Sequence, residues 1–529
     1  MEQGTRSAAR RASLTALLLA QGFTAAADSD VARVIVKFRA GSALASASGR
    51  SQAASAGTRA AALGARLGLP MSGGPAVSDR TQVMFASGVT SAALAQRMAR
   101  ESDVEYAVPD ERRRIVRGPN DPLYAEGVPG NGPAVGQWYL RAPSGDVLSS
   151  LDIEAAWALT NGSPEVVVAV VDTGVRYEHP DLLEVAVGGN LLPGYDMVSD
   201  AAVANDDDGR DGDASDPGDW VTQAEIAQRG AEFFRCADSA QSSSWHGTQV
   251  SGLIAAVTHN GIGMAGTAPG VRVLPVRVLG KCGGHDSDIL AGMRWAAGLS
   301  VPGVPANPYP ARVINLSLGG DGPCSAAYRD TADQINAAGT VIVAAAGNTS
   351  GHAVGTPASC PGVIAVAGLR HVGTKVGFSS LGAEVAIGAP GGNCVNTASG
   401  SPCLYPILTT TNSGTTVPTT SAYTDSFNVS VGTSFATPLV AGVAALAMSL
   451  DHTLSPAQVK ELLQRTARPF PALGSVASSS GAAECTPPQY TLIGQQADQL
   501  ECYCTTTTCG AGMLDAAAAL AAAYAGSSR

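Results

Sequence analysis

Four polar residues stand where the chain could carry out acid–base and nucleophilic chemistry: Asp172, His246, Asn348 and Ser434. Ser434 precedes Pro438 and the apolar run 439–450. Because proline is tolerated in the first turn of a helix, this pattern predicts a helix that begins at Pro438. Ser434 then lies at or just before the helix N-terminus, where free N–H groups favour negative charge. A serine there either caps the helix or attacks a carbonyl group.

The elements around these residues predict an α/β domain. Apolar strands alternate with helices, a pattern typical of a parallel sheet covered on both faces, whose working residues collect at the carboxyl ends of its strands. The predicted strands are 166–171, 273–279, 313–318, 341–346 and 363–367, and the predicted helices are 246–257, 287–298 and 326–338. Asp172 and Asn348 each follow a strand, and His246 opens a helix. Taken singly, Asp172 and Asn348 also suit ordinary turns.

The order aspartate, histidine and serine is that of the subtilisin triad. Three segments resemble the signature segments of the subtilisin-like (subtilase) serine peptidases: Asp172-Thr173-Gly174, His246-Gly247-Thr248 and Gly432-Thr433-Ser434-Phe435-Ala436-Thr437-Pro438. The resemblance extends over about residues 138–520. It implies a three-layer subtilisin-like fold with a mainly parallel central sheet, and a secreted endopeptidase that acts through an acyl-enzyme.

The resemblance also implies a role for each site residue. Ser434 would be the nucleophile, His246 the base, Asp172 its orienting partner and Asn348 an oxyanion donor. The expected substrate-binding residues are Ser317, Leu318, Gly319, Ala345, Ala346, Gly347 and Gly355. The family usually has a second histidine where this chain has Gln249. That position is outside the triad, so we expect changed packing and intact activity.

The N-terminal part of the chain differs from the rest. Residues 1–27 have the pattern of a signal peptide, and residues 28–118 predict a small α+β, ferredoxin-like βαββαβ domain. Residues 1–118 carry 16 Lys and Arg against 9 Asp and Glu, a net +7, which leaves −18 for residues 119–529 of the total −11. By resemblance, residues 28–118 are an inhibitory propeptide that the enzyme removes itself, and 119–529 form the peptidase domain.

The expected partners follow from charge and resemblance. They are protein or peptide substrates and the chain's own propeptide. The acidic body argues against nucleic acid. Outside the N-terminal segment, no uninterrupted apolar run is long enough to predict a membrane span. We expect an extracellular monomer.

Residues 205–216 crowd six carboxylates into one short segment. Calcium takes six to eight oxygen ligands and would relieve their repulsion, which predicts a structural calcium site at Asp206, Asp208, Asp211 and Asp213. A solvated acidic loop is the alternative. No organic cofactor is expected.

All ten cysteines follow residue 230. In an exported chain an even number predicts disulfides, whose pairing the sequence leaves open. A zinc site at Cys502, Cys504 and Cys509 is the alternative. Four of the ten, Cys485, Cys502, Cys504 and Cys509, lie in a Cys- and Thr-rich insertion at 475–509. Two other functions also stay open: a catalytically silent homologue that acts as a binding protein, and an esterase.

Overall fold

The computed structural model describes residues 31–45, 52–110, 118–125, 135–393, 405–424, 432–479, 481–490 and 494–527. The chain divides into two compact units, Met1–Val116 and Arg117–Arg529. The predicted signal segment 1–27 and the basic linker 112–117 lie outside the described residues.

The first unit has the predicted βαββαβ order. Its elements are β1 (Val31–Phe38), α1 (Gln52–Leu67), β2 (Met71–Ser78), β3 (Thr81–Ser87), α2 (Ser91–Met98) and β4 (Val104–Pro109). The strands lie in the order β2-β3-β1-β4, and each pair is antiparallel. Val34, Leu63 and Met84 are fully buried in its core. β2 contains a Gly-Gly-Pro sequence that is unfavourable for a strand, and pairing with β3 stabilises it.

The second unit is built on a seven-stranded parallel sheet. Its strands are β5 (Val167–Asp172), β6 (Tyr195–Asp196), β7 (Arg272–Arg277), β8 (Val313–Leu316), β9 (Val341–Ala345), β10 (Val363–Leu369) and β11 (Val385–Pro390). They lie in the order β11-β10-β9-β8-β5-β7-β6. A separate antiparallel hairpin joins β12 (Thr409–Asn412) to β13 (Ser421–Thr424). The five predicted strands are all present.

Helices cover both faces of the parallel sheet. The described helices of the second unit are α3 (Pro122–Ala125), α4 (Ile153–Trp157), α5 (Ala201–Ala204), α6 (Gln223–Ala227), α7 (His246–Ala255), α8 (Asp286–Ala296), α9 (Ala326–Ala337), α10 (Thr433–Leu450), α11 (Pro456–Thr466) and α12 (Ala516–Ser527), of which α5 and α6 pack in a separate small cluster. Single 3-10 turns occupy Trp138–Leu140 and Val185–Val187. Val168 and Val170 pack in the core that contains α7 and α10, and Ala169 and Val171 in the core that contains α8 and α9. The three-layer α/β prediction is confirmed.

The helix α10 runs through the first of these two cores. It is long and apolar enough to span a membrane by length and composition, and 83% of its residues are buried inside the protein. The core helix of a globular domain can be equally long and apolar. The apolar residues of α10 are therefore accounted for by packing against the sheet.

The prediction that α10 begins at Pro438 is wrong. The helix begins at Thr433, and Pro438 lies inside it. Proline has no N–H, so the Ser434 carbonyl loses its partner four residues ahead. The hydroxyl of Ser317 takes that place and donates to the Ser434 carbonyl oxygen at 2.7 Å. A hydrogen bond from the residue that follows β8 thus allows the helix to start about one and a half turns earlier than proline alone indicates.

Candidate active site

Three polar residues reach one edge of the parallel sheet from three elements. Asp172 is the last residue of β5, His246 is the first residue of α7, and Ser434 is the second residue of α10. The carboxyl ends of parallel strands lie at the same edge, and β5 and β8 are neighbours there. The residues predicted for the triad therefore come from elements that pack together.

A short hydrogen bond joins Asp172 to His246. The imidazole Nδ1 lies 2.8 Å from Oδ1 and 3.0 Å from Oδ2 of the carboxylate. Asp172 is fully buried, whereas 22% of the His246 side chain is exposed. The other ring nitrogen of His246 is thereby left for a group in the cleft.

The pKa of His246 reflects burial and several carboxylates. Burial alone lowers the pKa of the imidazole, but the charge and hydrogen bond of Asp172 and the charges of Asp219 and Asp216 raise it above its ordinary value. Asp219 also accepts hydrogen bonds from the Ser244 amide at 2.6 Å and hydroxyl at 2.7 Å. The sequence analysis missed Asp216 and Asp219 as neighbours of the histidine, because nothing local indicates that contact.

Close backbone packing fixes where α7 starts. The Gly247 amide donates to Thr173 Oγ1 at 3.0 Å, and the Thr173 hydroxyl donates to the buried carboxylate of Asp216 at 2.7 Å. A Cβ at Gly247 would collide with the Gly174 carbonyl oxygen. Glycine at position 247 therefore lets the start of α7 approach the end of β5.

Ser434 is hydrogen-bonded to the end of the neighbouring strand. Its Oγ donates to the Ser317 carbonyl oxygen at 3.0 Å rather than to His246. The Ser317 hydroxyl donates in return to the Ser434 carbonyl oxygen. The His246 ring lies beside the first turn of α10, with its centroid 5.8 Å from that of Phe435. The described contacts thus place the imidazole against the residue that follows Ser434, while the serine hydroxyl is bonded to Ser317.

The side chain of Asn348 has a fixed orientation. Its Oδ1 accepts hydrogen bonds from the Thr433 amide at 3.0 Å and from the Thr433 hydroxyl at 2.9 Å. Because the oxygen is used twice, the NH₂ group is the part of the amide that remains for a ligand. Asn348 is exposed at the cleft. Thr433 is thus a third residue of the site, after Asp216 and Asp219, whose role the sequence did not indicate, although it lies in the quoted motif.

A cavity of about 270 Å³ opens beside Ser434 and Asn348. All seven predicted substrate-binding residues line it: Ser317, Leu318, Gly319, Ala345, Ala346, Gly347 and Gly355. Asp321 is the charged residue among the described lining residues. A Cβ at Gly355 would collide with the Gly320 carbonyl oxygen. Glycine is therefore required at this position for the close approach of the chain to Gly320, and it also leaves room in the cavity.

Gln249 packs without reaching the site. Its side-chain amide donates to the Ser244 carbonyl oxygen at 3.1 Å and to Thr411 Oγ1 at 3.3 Å. The side chain is buried, and its contacts are structural ones between α7, the connection before it and β12.

The acidic segment 205–216 is held largely by arginines and turns. Asp206 pairs with Arg277, which also pairs with the buried Asp196. Asp211 and Asp213 each accept a backbone hydrogen bond at 2.9 Å from the residue two positions ahead. Loss of solvation and the neighbouring charges, Asp211 first, raise the pKa of Asp208. The carboxylates of this segment therefore repel one another, as the calcium prediction supposes. Asp206, however, is already neutralised by Arg277.

The cysteines of the described part of the chain are all paired. The disulfides are Cys236–Cys282, Cys324–Cys360, Cys485–Cys502 and Cys504–Cys509. Cys394 and Cys403 lie outside the described residues. The zinc alternative at Cys502, Cys504 and Cys509 is wrong, because sulfurs in disulfides are not thiolate ligands. The same holds for Cys485, Cys504 and Cys509, the group of metal-type ligands whose atoms lie within 4.8 Å of one another among the described residues.

A parallel sheet that presents an aspartate–histidine pair and a serine at its carboxyl edge defines the catalytic-triad class of serine hydrolases. Within that class the chain belongs to the subtilase family, whose family model (Peptidase_S8) matches residues 163–497.

Similar proteins agree with this assignment. The chain is 42% identical over 391 residues to an "Extracellular protease" of Xanthomonas campestris pv. campestris, which covers 74% of this chain and 59% of the relative. It is 38% identical over 409 residues to an "Extracellular basic protease" of Dichelobacter nodosus, and the match covers 75% of this chain and 60% of the relative. A solved protease structure from Pseudoalteromonas arctica PAMC 21717 is 40% identical, with a TM-score of 0.61, and covers 77% of this chain and 99% of that one. The chain thus spans about 60% of the length of the two curated relatives.

The electrostatics of His246 generate the first prediction. Asp219→Asn removes a negative charge while leaving an oxygen for the Ser244 amide, so the pKa of His246 should fall. The measurement is an NMR titration of the His246 ring. Asp238→Asn, at an exposed carboxylate of the same connection, is the charge-matched control. An unchanged His246 titration in Asp219→Asn would contradict the assignment.

Proposed function

We propose that the chain is a secreted serine endopeptidase of the subtilisin type. The observation that carries the proposal is the Asp172–His246 hydrogen bond, with the His246 ring packed against Phe435 and the adjoining Ser434 lining a cavity together with Asn348. Relatives named extracellular proteases support both the reaction and the location.

In this mechanism Ser434 attacks the scissile carbonyl carbon. Its hydroxyl first turns from the Ser317 carbonyl oxygen toward the free nitrogen of His246, which takes the proton as general base. Asp172 accepts the Nδ1 hydrogen bond, holds the tautomer and stabilises the imidazolium. His246 then returns the proton to the leaving amine, and water releases the acyl group by the same route.

The oxyanion has two donors in this proposal. One is the Ser434 amide, which lies in the first turn of α10, where N–H groups have no partner within the helix. The other is the NH₂ of Asn348, oriented by Thr433. Both aim at charge that develops only in the tetrahedral intermediate, which is where such donors lower the barrier.

Peptide substrates fit the cleft by backbone pairing. The segments 317–319 and 345–347 continue two parallel strands and line the cavity on two sides, so a substrate would add as a strand between them. The carboxylate of Asp321 at the cavity favours a neutral or basic side chain over an acidic one next to the scissile bond. An esterase needs no such backbone pairing.

Residues 28–118 are proposed to be an inhibitory propeptide. They form a compact unit with its own core, and their sequence is basic while the rest of the chain is acidic. Opposite charge favours association of the two. The enzyme itself would cut the chain at the basic linker 112–117, at the end of this segment.

A structural calcium ion is proposed at Asp208, Asp211 and Asp213, where carboxylate oxygens are the donors that calcium prefers. Asp206 fits less well, because its carboxylate pairs with Arg277. When bound, the ion would neutralise like charges and stabilise the segment; the proposed catalytic steps do not pass through it.

Loss of the nucleophile tests reaction and maturation together. Ser434→Ala should abolish hydrolysis of both a peptide and an acyl ester, and should leave residues 28–118 attached, because maturation would be self-cleavage. Intact mass and both assays on the protein from a protease-deficient host check this. A processed alanine variant would refute self-cleavage. A wild-type protein that cleaves the ester but no peptide would support the esterase alternative, and one that cleaves neither would support the binding protein.

Asn348 distinguishes an oxyanion donor from a turn former. Asn348→Ala should lower kcat about 10²–10³-fold with little change in KM, which is the effect of losing one donor that acts only in the transition state. Asn348→Asp should be at least as damaging, because a carboxylate would face developing negative charge. If Asn348 served only to form the turn, aspartate would replace it equally well. An Asp variant with near wild-type kcat would eliminate the oxyanion role.

Calcium should raise the Tm of the mature protein, because a ligand that binds the native state alone stabilises it by mass action. The double variant Asp208→Asn, Asp211→Asn should lose that shift, while Asp200→Asn, outside the proposed ligands, should keep it. Thermal scans with calcium and with chelator provide the measurement. A shift that survives in the double variant would place the ion elsewhere.

A further inference from the structure

One wall of the cavity is contacted by the Cys-rich insertion. The wall is residues 348–353, here called the cavity loop, which carries Asn348 and the lining residues Thr349 and Ala353. The insertion contributes residues 494–502, here called the supporting segment. Both lie in the second unit of the chain.

Three hydrogen bonds join the supporting segment to the cavity loop. The Ala353 amide donates to Oε1 of Gln496 at 2.6 Å. The Gln499 amide donates to the Ser350 carbonyl oxygen at 2.6 Å. A third contact pairs His352 Nε2 with Asp498 Oδ1 at 2.8 Å. The contacts fall on three of four successive loop residues, so the loop is held along its length.

The backbone of the cavity loop needs such support. Ser350 has φ of 54° and Gly351 has φ of 85°, and the first of these is a left-handed conformation that costs energy for a residue with a Cβ. A Cβ at Gly351 would lie 2.6 Å from that of Gln499, so the two segments are in close contact. A loop with strained backbone persists when its surroundings determine its conformation.

The supporting segment is itself held rigidly. The side chain of Gln499 makes three hydrogen bonds of 2.9–3.0 Å with Thr486, which is adjacent to the Cys485–Cys502 disulfide. These contacts fix the position of the Gln499 backbone, which bonds to the cavity loop. The support is therefore a cross-linked structure rather than a free strand.

The far end of the supporting segment is attached to the body of the domain. The Cys502 carbonyl oxygen accepts the Lys375 amide at 2.9 Å. Glu501 pairs with Arg370 and accepts the Thr374 hydroxyl at 2.8 Å, and both charged side chains are buried. A buried, hydrogen-bonded ion pair is costly to separate, so this attachment sets where the segment lies.

We propose that Gln496 and Gln499 are positioning residues that hold the cavity loop in the shape that accepts the substrate side chain next to the scissile bond. This inference rests on the proposed function and extends it to the selection of substrate. Gln496 acts through the Ala353 amide at the cavity wall and touches no reacting atom. Its loss widens the range of loop conformations and so weakens binding of a side chain that fills the cavity.

The test compares Gln496→Ala with Gln496→Glu, which retains an acceptor for the Ala353 amide. Two peptides differ only in having leucine or alanine before the scissile bond. We expect Gln496→Ala to raise KM for the leucine peptide about fivefold, which is the equivalent of one lost hydrogen bond. We expect kcat for both peptides, and KM for the alanine peptide, to change less than twofold. Gln496→Glu should restore the leucine KM. Gln489→Ala is the matched control, since that side chain bonds to the Pro487 carbonyl oxygen in the same insertion.

Hydrogen exchange supplies a readout that does not need activity. The Ala353 amide should exchange faster in Gln496→Ala than in the wild type or in Gln489→Ala, with Tm alike in the two alanine variants. Unchanged exchange, an unchanged leucine KM, or failure of the glutamate variant to restore it would overturn the proposal. If the wild type cleaves no peptide, the proposed function fails, and exchange at Ala353 alone decides whether Gln496 holds the loop.

Discussion

The hydrogen bond between Asp172 and His246 is the interaction on which the rest of the site depends. Asp172 is fully buried, and an ionised carboxylate without water is costly unless hydrogen bonds replace its hydration. Here Nδ1 of His246 and the Thr173 amide, each at 2.8 Å, supply them. β5 must therefore end where α7 begins, and the close approach of Gly247 to Gly174 is what makes that junction compact enough.

A second constraint places the serine. Pro438 deprives the Ser434 carbonyl of its helical partner, and the Ser317 hydroxyl replaces it, while Ser434 Oγ donates back to the Ser317 carbonyl oxygen. These two bonds tie the start of α10 to the end of β8. Since β8 pairs with β5 in the sheet, the positions of the serine and of the aspartate are fixed by one framework. A proline that looks like a local helix signal therefore has a tertiary consequence.

The sequence predicted what depends on local pattern. Buried strands are continuous apolar runs, and motif residues follow them, so the sheet, its helices and the four polar residues of the site could be located in advance. Contacts between distant segments left no such pattern. The start of α10 depends on Ser317, and the pKa of His246 depends on Asp216 and Asp219. The carboxylate of Asp206 is paired with the distant Arg277. The composition of β2 likewise opposes a strand, and its pairing with β3 is what stabilises one.

The acidic segment and the histidine are coupled through Asp216. Its buried carboxylate accepts the Thr173 hydroxyl, which in turn accepts the Gly247 amide, so one chain of bonds runs from the segment to the start of α7. The same carboxylates that raise the pKa of His246 would stabilise the imidazolium formed in the proposed mechanism, in which Ser434 gives up its proton. They also keep the imidazole protonated, and unable to act as a base, up to a higher pH. Negative charge near this histidine therefore makes it a stronger base. The same charge raises the lowest pH at which the histidine can act.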